Sequence, residues 1–191
     1  MHIVKNVFDN VFDTVMDVEE KTKYIAKARE DIKIYYKCKK LEKNESTGKY
    51  LKACYSLSKQ EKNVVCDLVT KLKFLDGYVS NMAKCVDMQK YKLFEMKSHD
   101  CHVFMQRLIP IDYNELLPVS IWNVLTELSL PFRDLTWTMI RVEDMIRLQE
   151  DIPIILCKLE RVFPPSFFDS MIFRFTYPMM QELEGRFNIH G

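Results

Sequence analysis

The hydrophobic and polar positions fall mostly into helical periods. Val4, Val7, Phe8, Val11, Phe12, Val15 and Met16 recur at three- and four-residue spacing, set against Lys5, Asp9, Asn10, Asp13 and Asp17. This predicts a strongly amphipathic helix from Ile3 to about Val18. A second helix is expected from Lys21 to about Lys39, with Ile25, Ala28, Ile32 and Tyr35 inward. From Lys40 to Leu57 the period is lost among Asn44, Ser46, Thr47 and Gly48, which reads as a long polar connection and the most mobile part of the chain.

Ser58 to Glu61 has the S-x-x-E spacing of a capping box. A helix over Lys59 to Lys73 should follow, with Val64, Val65, Leu68, Val69 and Leu72 on its buried face. Asp76-Gly77 marks a turn, Ser80 to Val86 a short helix, and Met88 to Met96 an extended link. Ser98 is expected to N-cap the next helix, with Asp100 in its first turn and Cys101, Phe104, Met105, Leu108 and Ile109 inward. Proline lacks the backbone N–H and its ring crowds the preceding turn, so that helix should stop near Pro110.

Pro118 should open another helix with Ile121, Val124, Leu125 and Leu128 on one face, broken at Pro131. Arg141 to Gln149 continues helical, Glu143 and Arg147 forming an i,i+4 pair. Pro153 predicts a kink or a fresh helix, and Ile152 to Val162 a core helix ended by Pro164-Pro165. Ser166 would then cap a short helix through Phe167, Phe168 and Met171.

Only four glycines in 191 residues argue against an all-β fold. The expected fold is all-α, a multi-helix orthogonal domain without a substantial sheet. With 28 basic and 27 acidic residues the net charge is +1, so no overall field draws the chain to nucleic acid or an anionic membrane. Lys37, Lys39, Lys40 and Lys43 make a local basic cluster. A solvated face is the ordinary reading of such a run, and weak DNA contact is the functional one. The six cysteines are unclustered and no secretory leader or membrane-length apolar run is seen, so reduced thiols in a soluble nuclear or cytoplasmic protein are expected.

The densest titratable cluster is His99, Asp100, Cys101 and His102. Adjacent helical residues point about 100° apart and cannot converge on one ion, so capping with one buried thiol outweighs a metal site or a Cys-His nucleophile pair. Glu143, Asp144, Glu150 and Asp151 lie along one helix rather than converging from separate elements, and read as a solvated face. Trp122 and Trp137 read as core or lid aromatics in a chain without a basic groove. No catalytic residue, metal or cofactor is expected, and no small-molecule substrate.

KSHDCHVFMQRLIPI followed by LLPVSIWNVLTELS, and further on EDIPIILCKLERVFPPSFFDSM, closely resembles the plant domain of unknown function that follows the catalytic core in CACTA-type (En/Spm) transposases. Met1 to Asp17 resembles the end of that catalytic region, matching at His2, Lys5, Asn6, Val7, Phe8, Asp9 and Asn10, with Val4 where the family has Glu. Leu72 to Asp87 is similar to the next block. The resemblance implies residues 1–97 from the end of the catalytic and insertion region, 98–171 from the follow-on domain, and a divergent tail over 172–191. The family's chemistry is RNase H-like cut-and-paste transposition, three carboxylates holding divalent metal. Two of those acids would lie upstream of Met1, leaving His2 alone of a D-x-x-H pair. The tail IFRFTYPMMQELEGRFNIHG departs from the family as a one-nucleotide shift of frame after Met171 would make it depart. His2, Lys5, Asn6, His99, Asp100, Cys101 and His102 are thus motif remnants. The expected protein is a transposon-derived fragment without catalytic activity, or alternatively a domesticated DNA- or protein-binding regulator. Its expected partners are a transposase, a second copy of itself, or DNA bound weakly. Without a catalytic domain beside them, Val7, Val11, Phe12 and the Phe167-Phe168 pair are expected to be partly exposed.

Overall fold

The computed structural model describes residues 2–18, 52–72, 81–135, 141–163 and 165–168. Its helices are α1 (His2–Val15), α2 (Lys59–Lys71), α3 (Ser98–Val103), α4 (Ile109–Asp112), α5 (Val119–Leu135), α6 (Val142–Glu160) and α7 (Pro165–Phe168). A π-helical turn, Phe104–Leu108, joins α3 to α4, and a 3-10 turn, Met82–Cys85, leads into a two-residue hairpin of β1 (Val86–Asp87) and β2 (Lys92–Leu93). Among the described residues the protein is mostly helical, with no substantial sheet. The helix expected over Lys21 to Lys39 and the tail after Met171 lie outside the described residues.

α1 is the axis of the core. Val7, Phe8, Val11, Phe12, Val15 and Met16 are all buried, as the period predicts, but so are Thr14, Asn10 at 8% and Asp13 at 9% exposure. Two of the five expected polar positions are therefore enclosed, while Lys5 and Asp9 are half-buried and Asp17 is exposed. The expected exposure of Val7, Val11, Phe12, Phe167 and Phe168 is also corrected, because other parts of this chain cover all five. Phe8 and Phe12 stack at 5.4 Å between ring centroids, and Phe104 meets both edge-on at 5.1 and 5.7 Å. From the far end of the chain, the Phe167 carbonyl accepts a 2.7 Å hydrogen bond from Asn10 Nδ2. Phe167 stacks on Phe163 at 4.3 Å, and Phe163 in turn lies 4.9 Å from Tyr55.

The connection expected to be polar through Leu57 is buried at its described end. Ala53, Tyr55, Ser56 and Leu57 sit in the core, and Leu57 N–H donates to the Val15 carbonyl at 2.9 Å. α2 begins with the capping box its sequence predicts: Ser58 N–H donates to Glu61 Oε2 at 2.5 Å and Glu61 N–H to Ser58 Oγ at 3.3 Å. The inward face is turned from expectation, however. Val65, Cys66 and Val69 are buried, while Val64 and Leu68 are 44% and 37% exposed.

Residues 81–96 form a 3-10 turn and hairpin in place of a helix and a link. Val86 pairs with Leu93 and Asp87 with Lys92, and Asp87 Oδ1 closes the turn by accepting from Gln89 and Lys90 N–H.

Three helices run through the prolines expected to end or interrupt them. At Pro110 the π turn moves the bonding pattern by one residue, Ile109 N–H donating to the Phe104 carbonyl. The wider turn makes room for the ring. Pro131 lies within α5 and Pro153 within α6, so no fresh helix begins at either. A mid-helix proline costs about 3 kcal/mol. Burying Leu125, Leu128 and Phe132 on α5 returns roughly 1.5–3 kcal/mol per side chain, so packing wins. On α6, Arg147 Nη2 pairs with Asp144 at 3.2 Å, at i,i+3 spacing in place of the pair expected with Glu143. α7 starts at Pro165, which places Ser166 inside the helix rather than at its cap.

Candidate functional site

The two blocks of motif residues, some ninety positions apart in sequence, meet where α1 packs on α3. Lys5 Nζ donates to the Met96 carbonyl at 3.0 Å, fixing α1 to the strand of chain that leads into α3. Asn6 is half-buried on α1, and His2 is the first residue of that helix.

α3 starts one residue earlier than expected. Lys97 occupies the N-cap position, and the capping group is the buried Asp100, whose Oδ2 accepts from Lys97 N–H at 3.3 Å. Ser98 lies inside the helix because the third-position carboxylate already satisfies the first free donor.

Cys101 faces α1 from the next position and is wholly buried. Loss of solvent, then the nearby Asp9 carboxylate, pushes its thiol up to about 12. A thiol held there stays protonated at neutral pH and is no nucleophile. Burial also pushes Cys66 up to about 11 and raises Cys85.

His99 is exposed, whereas His102, three residues on and about 60° round the helix, is half-buried. His102 Nε2 lies 2.9 Å from the Phe132 carbonyl, and Gln106 Nε2 donates to the same oxygen at 2.9 Å. The imidazole must carry its proton on Nε2 to make this bond. Burial is the main force holding His102 below the usual imidazole range, His99 adding to the shift and the bond to Phe132 opposing it. His102 and Gln106, one turn apart, together cap a carbonyl in the last turn of α5. Gln106 was not singled out from sequence. Its i,i+4 spacing from His102 was visible, but the acceptor, twenty-six residues on, was not.

The structure therefore gathers Lys5, Asp100 and Cys101 at one seam, sets His102 on the α5 side, and leaves His99 outside. Among the described residues no group of three His, Cys, Asp or Glu side chains is placed to hold a metal ion. Glu143, Glu150 and Asp151 stand exposed along α6, and Asp144 is half-buried with Arg147 as its partner. Trp122 Nε1 donates to the Pro110 carbonyl at 2.9 Å, tying α5 to α4. Lys37, Lys39, Lys40, Lys43 and Trp137 lie outside the described residues. No described helix is long and apolar enough to cross a membrane.

No curated protein and no solved structure matches the chain. One protein family does: the domain of unknown function DUF4218 matches residues 135–182, a span that contains α6 and α7 and runs past Met171. This domain is found in plant transposase-like proteins.

Proposed function

We propose that the chain is a transposon-derived helical module of CACTA (En/Spm) type that works by binding partners rather than by cutting DNA, in the nucleus or cytoplasm. One observation carries the reading. The chemically capable side chains shared with that family are engaged in holding helices together: Lys5 on the Met96 carbonyl, Asp100 on the α3 cap, Cys101 as a buried thiol and His102 on the end of α5. The DUF4218 match supports the kinship. Its partners are a transposase, a second copy, or DNA through Lys37, Lys39, Lys40 and Lys43.

Purified protein incubated with duplex DNA and Mg²⁺ or Mn²⁺ should give no strand cleavage above background, and metal-dependent cleavage would overturn the reading. A DNA titration across salt concentrations addresses the regulator alternative. Binding that weakens by about one log unit of affinity per log unit of salt for each phosphate contacted would make DNA the working partner.

A further inference from the structure

We propose that α6 is a self-association helix, two copies pairing antiparallel through the stripe Glu143, Ile146, Glu150, Ile154, Cys157 and Arg161 about a two-fold axis near Ile152. This deepens the interaction reading above and rests on it. All six side chains are exposed, Ile146 at 46% and Ile154 at 53%. They follow one another at three- and four-residue steps, which places them on one face of the helix, while Leu148, Ile152, Ile155 and Leu159 point into the core from the opposite face.

The charge order along the stripe selects the occupant. It is acidic at its N-terminal end with Glu143, carries Ile146, Ile154 and Cys157 interrupted by Glu150 in the middle, and is basic at its C-terminal end with Arg161. Glu143 and Arg161 each lie nine residues from Ile152, so an antiparallel copy brings Glu143 beside Arg161 of the second copy at both ends of the pair. A parallel copy would set Glu143 against its own equivalent. In the antiparallel register Ile146 lies level with Lys158 of the second copy, one residue from its Cys157, and Ile154 lies level with Glu150 of the second copy. Beside the stripe a groove of about 440 Å³ opens between α5 and α6, with Leu130 and Ile154 in its walls among charged neighbours that include the Lys158–Glu127 ion pair. Helices of 19 residues are about 28 Å long, and one such contact buries less than the roughly 1,200 Å² of a stable interface, so the dimer is weak and reversible.

Sedimentation of the full chain at rising concentration should show a monomer–dimer equilibrium. E143R and R161E each put like charges together at both ends and should weaken the dimer by about tenfold or more, while the double variant E143R/R161E restores it. E150A removes two like charges flanking the axis and should tighten it. A short bismaleimide should join the thiol of Ile146→Cys to Cys157 of the second copy, mapped by peptide mass spectrometry. These two positions are about 16 Å apart within one helix, beyond the reach of the reagent. A monomer at every concentration, a dimer indifferent to both charge reversals, or cross-links to other cysteines would overturn the pairing. The same samples assayed for divalent-metal strand cleavage separate the two readings, since cleavage overturns the non-catalytic module whatever its oligomeric state and a monomer overturns only the pairing.

Discussion

Ser58 and Glu61 hold each other's backbone, and Glu61 is held below the usual carboxylate range first by the Ser58 hydroxyl, then by its N–H. Ser58→Ala should lower stability by about 1 kcal/mol in chemical denaturation. Because the folded carboxyl is the stronger acid, its contribution is present above the ordinary value of 4.5 and fades as pH falls below it. Glu61→Gln should thus cost stability at pH 7 and progressively less as pH falls below 4.5. His102 obeys the same sign for a different reason: burial depresses its value, so the unfolded chain takes up the proton more readily. Stability should fall as pH drops below 6.5, and His102→Gln, which keeps an N–H for the Phe132 carbonyl, should flatten that fall in a melting series. The Ser58 cap was legible because both partners lie within four residues. The role of His102 was not, since its acceptor is thirty residues away.

Helix starts were legible at Ser58 and at Pro118, whose carbonyl accepts from Ile121 and Trp122 N–H, but fell one or two residues early at Ser98 and Ser166. Helix ends at Pro110 and Pro131 were misread, because the cost of a proline is local and the burial that outweighs it is not. Face assignments suffered likewise. Val64 and Leu68 fit the α2 period as well as Val65 and Val69 do, and only the neighbouring 3-10 turn and β1 decide which pair turns inward. Val69→Ala should therefore cost about 2 kcal/mol while Leu68→Ala costs under about 0.5 kcal/mol, a contrast that denaturant midpoints would read directly. The motif seam was half legible: the titratable cluster at 99–102 was visible as capping plus a thiol, but not that Lys5 and Asp9 of α1 lie against it.

Across the whole molecule, a period of 3.6 correctly marked α1 as one-sided in its apolar residues but could not reveal that Asn10, Asp13 and Thr14 are covered too. That second covering is tertiary: the Phe167 carbonyl lies on Asn10, and Leu57 N–H reaches the Val15 carbonyl at the end of the helix. Phe167→Ala should cost about 3–5 kcal/mol despite its place in a four-residue helix, and Asn10→Asp, which sets a carboxylate against the Phe167 carbonyl, about 2 kcal/mol or more. Equal stability of these variants and the parent by urea titration would show that α7 is not part of the core.

The hydrogen bond from Asn10 to Phe167 spans 157 residues. During translation at about 5–20 residues per second, the first helix therefore waits roughly 8 to 31 s for the segment that closes over it. A nascent chain stalled on the ribosome before residue 163 should carry α1 as a chaperone ligand, and release from the chaperone should coincide with synthesis of the Phe163–Phe168 aromatics.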